Sequence, residues 1–224
     1  KQDLVGEIID EMPLDESAPP EHSGATPYAP RGKPPPFLVQ FNLRDRVVVL
    51  AGDGDVPRAK AEMLLAAGAR LRLLNADPGP WMQDRIAEGR AYLHPAFDDA
   101  LFDGVALAMA VDIEDPTPEA FAAAARARGL LVNVADNPPC CDFTTPAYFD
   151  RGPIRVALGS GGTAPMLVSL LRQRLEQALD PRIGVVAAAA ARLRGAVAAA
   201  FDKPGRFAFW EDLFEGRIET PGDC

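Results

Sequence analysis

The chain has 224 residues, which is enough to bury one large hydrophobic core or two smaller ones. Its hydrophobic content of 48% is that of a globular protein, and no apolar run reaches the roughly 20 residues that a membrane-spanning helix needs, so we expect no membrane partner. A formal net charge of −9 argues against general nucleic-acid binding, because release of counterions requires a basic surface. The three cysteines have neither a disulfide-framework nor a zinc-site spacing, which favours a reducing, cytoplasmic setting.

The first 35 residues are rich in proline and acidic side chains and have little apolar periodicity. Seven acidic residues stand here against three basic ones. We interpret residues 1–35 as an acidic arm, which is either a solvated tail or a docking segment for a partner. The docking interpretation depends on four apolar residues near its start, namely Leu4, Ile8, Ile9 and Met12.

From Arg46 onward, apolar runs alternate with segments of helical periodicity. The first run, Val47-Val48-Val49-Leu50-Ala51, is typical of a strand covered on both faces. Repeated strand–helix alternation predicts parallel βαβ units, an α/β protein with a Rossmann-type sheet, followed by a second lobe that is mainly helical. The predicted strands lie at 47–51, 70–74, 105–110, 130–134 and 154–158, and the predicted helices at 56–67, 79–88, 117–128, 164–178, 182–201 and around 210–214.

A glycine loop follows the first predicted strand. Its residues are Gly52, Asp53, Gly54, Asp55 and Val56, and a helix follows. Glycines between a buried strand and a helix let backbone N–H groups approach a pyrophosphate, which predicts dinucleotide binding; the alternative is an ordinary turn. Asp53 and Pro57 depart from the usual fingerprint, whereas Asp55 suits an N-cap.

The end of the second predicted strand is where a dinucleotide fold selects its ribose. Asn75, Ala76 and Asp77 stand there, about 20 residues past the glycines as the fingerprint expects. A carboxylate at this place favours NAD over its phosphorylated form. The alternative is that Asp77 is a loop residue before Pro78.

Several segments together resemble the precorrin-2 dehydrogenase and sirohydrochlorin ferrochelatase family, the module at the N-terminus of siroheme synthase. The resemblance covers about residues 36–215 and is most specific in its last two segments. The segments are Pro36-Phe37 with 43–46, the glycine loop with Lys60, 65–71, Asn133-Val134-Ala135-Asp136, and 156–165 with its Gly159-Ser160-Gly161-Gly162-Thr163 centre.

The resemblance implies a fold, a reaction and site residues. It implies a Rossmann NAD-binding domain over 36–145, a dimerisation segment over 146–180 and a helical domain over 181–224, assembled as a homodimer. It further implies oxidation of a tetrapyrrole, precorrin-2, by NAD to give sirohydrochlorin in siroheme biosynthesis, with ferrous iron as a further substrate in some members. Asp136 matches the catalytic aspartate, Ser160 a serine that some members phosphorylate, and Asp112 joins the cofactor-binding candidates.

Asp136 also has a chemical case of its own. It directly follows a predicted parallel strand, at the edge where open α/β sheets bind ligands. Oxidation of a reduced macrocycle removes a hydride and a proton, and metallation removes two pyrrole protons, so one carboxylate can act as base in either step. The same carboxylate is the candidate metal ligand. The alternative is a loop cap before Pro138.

Ser160, Gly161, Gly162 and Thr163 precede a predicted helix and are candidate substrate-binding residues. Neither histidine is placed as a partner for Ser160, and the nucleophile-elbow spacing is absent, so the sequence does not predict a hydrolase. We interpret the turn as a second anion-binding site for substrate carboxylates; the alternative is an N-cap made by Thr163.

Three functions therefore remain open from the sequence. The first is an NAD-dependent precorrin-2 dehydrogenase that also inserts iron in one version. The second keeps the tetrapyrrole site and Asp136 but loses NAD through Asp53 and Pro57, leaving a metal chelatase or a carrier. The third is a non-catalytic interaction protein that acts through its acidic arm and helical lobe.

Overall fold

The computed structural model describes residues 36–52, 57–74 and 78–215. The chain divides into two compact units, Lys1–Leu38 and Val39–Cys224, and every element below belongs to the second. The predicted acidic arm over 1–35 lies outside the described residues, as do Asp53, Gly54, Asp55, Val56, Asn75, Ala76 and Asp77.

The first lobe is built on a five-stranded parallel sheet. Its strand order is β3-β2-β1-β4-β5, so the order reverses between β1 and β4. Every neighbouring pair is parallel, which confirms the predicted βαβ organisation. The strands are β1 (Val47–Ala51), β2 (Arg70–Leu74), β3 (Ala91–Leu93), β4 (Val105–Ala110) and β5 (Leu131–Val134).

Three helices cover this sheet, and its two faces have separate cores. The helices are α1 (Arg58–Ala66), α2 (Pro80–Ala87) and α3 (Pro118–Ala127). Side chains alternate along a strand, so Val48 and Leu50 enter one core with α1 and α2, while Val49 and Ala51 enter the other with α3. This two-sided burial explains the uninterrupted apolar run of β1.

Some short elements of this lobe escaped the sequence analysis. They are β3 and two 3₁₀ turns, Asp99–Phe102 and Pro138–Cys140. In β3 only Ala91 is buried, whereas Tyr92 and Leu93 are exposed, so a strand of three residues has no apolar alternation to reveal it. The predicted strands at 70–74 and 105–110 agree with β2 and β4 to the residue.

The second lobe begins with an antiparallel pair of strands, β6 (Ala147–Arg151) and β7 (Ile154–Leu158), and continues with three helices. Only β7 was predicted, so the expectation of a mainly helical lobe omits one strand. The helices are α4 (Pro165–Ala178), α5 (Ile183–Ala200) and α6 (Lys203–Phe214). The last helix begins earlier than predicted because Asp202 caps it, accepting a 2.9 Å hydrogen bond from the Gly205 N–H.

Helix α5 is apolar along its length yet little buried within one chain. By length and composition alone this 18-residue helix could cross a membrane, which the sequence analysis did not expect. Several large apolar side chains of the second lobe are also exposed, including Val185 on α5 and Phe207 on α6. Exposed apolar side chains gathered on one lobe are typical of an interaction site.

Candidate functional site

The sheet's strand order reverses between β1 and β4, and a ligand crevice in such folds lies outside the carboxyl ends of those strands. Gly52 ends β1 there with φ of 148°, a conformation that favours glycine. A Cβ at this position would lie 2.5 Å from the carbonyl oxygen of Val111. Gly52 therefore keeps the backbone of β1 and β4 in close approach at the crevice.

Two aspartates follow neighbouring strands at this edge, and both have left-handed backbone conformations. Asp112 follows β4 with φ of 53°, and Asp136 follows β5 with φ of 57°. The Ala135 N–H donates to the carbonyl of Ala110 over 2.9 Å, which places the Asp136 turn against the end of β4. Non-glycine residues with positive φ are uncommon, and such conformations gather at functional sites.

The segment after Asp136 is fastened back onto β5. Asn133 is only 6% exposed, and its side-chain amide donates to the carbonyl of Phe143 over 2.9 Å. The Cys141 thiol donates to the carbonyl of Val134 over 3.0 Å. Asp142 accepts a hydrogen bond from the Val132 N–H, also over 3.0 Å. Asp136 thus lies in a turn, and the residues that follow this turn are hydrogen-bonded back to β5.

Asp142 also binds helix α3. Its carboxylate forms a 2.8 Å ion pair with Arg126. The hydrogen bonds from that guanidinium lower the pKa of Asp142 below its usual value, and the Val132 N–H acts in the same direction. The ionised carboxylate therefore ties α3 to β5.

Lys60, in the first turn of α1, reaches the same region from the other side. Its Nζ donates to Thr145 Oγ1 over 2.9 Å. Burial lowers the pKa of the Lys60 ammonium, while the nearby Cys141 and Asp136 act to raise it. In the sequence, Lys60 is part of the glycine-loop resemblance, and a basic residue in the first turn of a predicted helix is the signal that pointed to it.

The predicted Ser160–Thr163 site forms a tight turn before α4. The Ala164 N–H donates to Ser160 Oγ over 3.0 Å, and the Thr163 hydroxyl donates to the Ser160 carbonyl over 2.7 Å. Ser160, and not Thr163, therefore binds the chain entering the helix. Gly161 and Gly162 have φ of 62° and 85°, which a glycine pair accommodates readily. Substrate binding by these four residues stays a prediction.

Metal ligation by Asp136 also stays a prediction. Within the three described ranges, no three His, Cys, Asp or Glu side chains gather into a group that could hold a metal ion. Cys140 and Cys141 are both free thiols, and Cys140 is buried in the core beneath α3.

The described residues fit a dinucleotide. Gly52 lacks the Cβ that would close the crevice against Val111, and α1 begins just beyond the loop with its N-terminus at the same edge. Pro57 occupies the N-cap position of α1, and its side chain makes no cap hydrogen bond to the first backbone N–H groups of the helix.

Comparison with known families gives two matches in chain order. A family model described as "Putative NAD(P)-binding" matches residues 39–147. The model of the sirohaem synthase dimerisation region matches residues 182–220, which include α5 and α6. The matched dimerisation region thus includes two of the three second-lobe helices that have exposed apolar side chains.

Curated relatives carry the name siroheme synthase. The relative from Methylobacillus flagellatus is 38% identical over 180 residues, or 80% of this chain and 38% of its own. That from Citrobacter koseri is 41% identical over 174 residues, or 77% of this chain and 38% of its own. The chain therefore spans less than half the length of these relatives.

A solved structure titled "SirC, precorrin-2 dehydrogenase" has the same fold. It superimposes with a TM-score of 0.66 over 79% of this chain and 88% of its own, at 17% sequence identity. The two models, the relatives and this fold agree with the resemblance seen in the sequence. The chain therefore combines an NAD(P)-binding domain with a sirohaem synthase dimerisation region, and over 77–80% of its length it is similar to part of siroheme synthase.

Proposed function

We propose that this chain oxidises precorrin-2 to sirohydrochlorin with NAD. The observation that carries the proposal is the placement of Asp136, which follows β5 in a strained left-handed turn beside the strand reversal. The similarity to siroheme synthases and the name of the solved structure with the same fold support the substrate.

The reaction removes one hydride and one proton from the macrocycle. NAD supplies the hydride acceptor when bound at the glycine loop. The chain's own contribution is to hold the macrocycle over the crevice and to accept the proton at the Asp136 carboxylate. The turn fixed by Asn133, Cys141 and Asp142 holds that carboxylate in place before substrate arrives.

Insertion of ferrous iron into sirohydrochlorin is the second candidate activity. Two pyrrole protons leave when the metal enters, and the Asp136 carboxylate is again the proposed base. Asp53 favours this candidate over the dehydrogenase, because a carboxylate in the glycine loop opposes a pyrophosphate. A chain that had lost NAD would still act as a chelatase or carrier.

A homodimer in the cytoplasm completes the proposal. The matched dimerisation region and the exposed apolar side chains of α5 and α6 support a second copy as the partner. The free Cys140 and Cys141 thiols support a reducing compartment.

An anaerobic assay with precorrin-2 and NAD, followed by sirohydrochlorin absorbance, tests the reaction. Asp136→Asn tolerates the left-handed turn and removes only the base, so we expect normal folding and at least a hundredfold slower turnover. Asp45 is a matched control, because it also has positive φ, 60°, but precedes β1 at the opposite edge. Asp45→Asn should retain full activity.

Separate titrations with NADH and with a porphyrin distinguish the candidates. If the protein makes no sirohydrochlorin and does not bind NADH, yet binds porphyrin and inserts iron, the dehydrogenase proposal is wrong and the chelatase stands. Undiminished turnover by Asp136→Asn would remove Asp136 from the mechanism of either activity.

A further inference from the structure

Lys60 occupies an unfavourable place for a cation. It lies in the first turn of α1, where the helix dipole is positive, and that turn contains no acidic residue. Its ammonium is also partly buried, which lowers its pKa. Both effects cost stability, so a packing role alone would be better served by an uncharged side chain of similar length.

Among residues 36–52, 57–74 and 78–215, no carboxylate forms a direct ion pair with the ammonium. Its one hydrogen-bond partner in the described part of the chain is Thr145 Oγ1, at 2.9 Å. The neighbouring basic residue of the same turn, Arg58, instead pairs with Glu62 at 2.9 Å. An ammonium has three donors, so Lys60 retains hydrogen-bonding capacity after it has bound Thr145.

The Thr145 contact directs Lys60 toward the turn that carries Asp136. Thr145 lies just past the segment fastened to β5, and both Asp136 and Cys141 are near enough to act electrostatically on the ammonium. A molecule placed against Asp136 therefore meets Lys60 as its neighbouring cation.

We propose that Lys60 binds a side-chain carboxylate of the tetrapyrrole and thereby sets the macrocycle over Asp136. The inference rests on the proposed function, because precorrin-2 and sirohydrochlorin carry acetate and propionate groups around the ring. Thr145 aims the ammonium, and the partial burial strengthens its attraction for an anion. Lys60 is then a determinant of specificity for polycarboxylate macrocycles.

The test is equilibrium binding of uroporphyrin, a stable octacarboxylate porphyrin, followed by quenching of its fluorescence. We expect Lys60→Met to weaken binding about tenfold or more, as loss of one charged hydrogen bond does, and Lys60→Arg to restore most of the affinity. Arg58→Met is the matched control from the same turn and should bind porphyrin normally. NADH affinity should stay within about twofold in all three variants.

Lys60→Gln guards against misfolding of the methionine variant, because it keeps a polar group for Thr145 without the charge. Thr145→Val removes the aiming contact and should weaken binding less than either uncharged variant. Unchanged porphyrin affinity in Lys60→Gln would overturn the inference. A loss of NADH affinity as large as that of porphyrin would also overturn it, because the anion would then be a phosphate.

Turnover separates this inference from the proposed function. Porphyrin binding that depends on Lys60 in a protein that makes no sirohydrochlorin would support the anchor and contradict the dehydrogenase. Normal sirohydrochlorin formation by Lys60→Gln, with an unchanged KM for precorrin-2, would support the dehydrogenase and contradict the role of Lys60 in binding. A raised KM with kcat reduced less supports a role in binding.

Discussion

The Asp142 carboxylate accepts hydrogen bonds from Arg126 on α3 and from the backbone N–H of Val132 in β5. We expect Asp142→Ala to lower the free energy of unfolding by about 1–2 kcal/mol, since the pair is partly exposed and screened. Urea denaturation measures this change. Asp99→Ala is the control, because the Asp99 side chain is 94% exposed beside Arg128, and its loss should be within error of zero.

The same carboxylate predicts a pH dependence. Its pKa is lowered in the folded state by the hydrogen bonds from Arg126, so its stabilisation is fully present above the unfolded pKa, about 3.9. That stabilisation disappears as pH falls through the lower, folded value. The stabilities of wild type and Asp142→Ala should therefore begin to converge as the pH falls below about 4, and the difference should continue to shrink down to the folded pKa. A stability difference that stayed constant from pH 7 to pH 3 would contradict this account.

Gly52→Ala should disturb the crevice itself. The new Cβ meets the Val111 carbonyl at 2.5 Å, and φ is 148°, so both a collision and backbone strain oppose it. We expect a loss of about 2–4 kcal/mol in unfolding free energy and weaker NADH binding. Gly89→Ala is the matched control, because Gly89 also has positive φ, 71°, but open space around it. The control should lose only about 1 kcal/mol; equal losses would refute the collision.

Arg72 on β2 holds the 3₁₀ turn that precedes β4. Its Nη1 lies 2.8–3.0 Å from the carbonyl oxygens of Ala100, Leu101 and Asp103. Arg72→Met keeps the aliphatic packing but leaves these carbonyls without that donor, so we expect about 1–3 kcal/mol of destabilisation in thermal or urea unfolding. Arg72→Lys should recover only part of it, since an ammonium cannot reproduce the planar fork. Full recovery would show that charge alone is sufficient.

The exposed face of α5 predicts a concentration-dependent assembly. Val185 is 70% exposed on the helix that the dimerisation model covers. Val185→Glu should shift a dimer toward monomer in sedimentation velocity by at least tenfold in Kd, because it places a charge in an apolar contact. Leu131→Glu, at an exposed residue of β5 outside that region, is the control. If Leu131→Glu dissociates the dimer and Val185→Glu does not, the interface lies at the β5 edge of the sheet and not on α5.

Strong apolar patterns predicted most of the fold. The continuous apolar run of β1 and the helical periodicity of α3 both reflect which side chains are buried. The predicted bounds of β1 are therefore correct to the residue, and those of α3 are correct within one residue at either end. The pairing of β6 with β7 was not predictable in the same way, because neither strand is buried on a whole face. The two strands pair as a tight hairpin, with Arg151 opposite Ile154 across the two-residue turn Gly152-Pro153.

Some features of the candidate site were predictable from the sequence, and others were not. The sequence by itself determined the parallel sheet, the position of Gly52 at the end of β1 and the position of Asp136 after β5, because these depend on hydrophobic periodicity and strand ends. Only the tertiary structure decided that Lys60 meets Thr145, a residue 85 positions away, beside Asp136. Contacts of that range follow from the crossover of strands in the sheet, and no local pattern encodes the distance between two side chains brought together by folding.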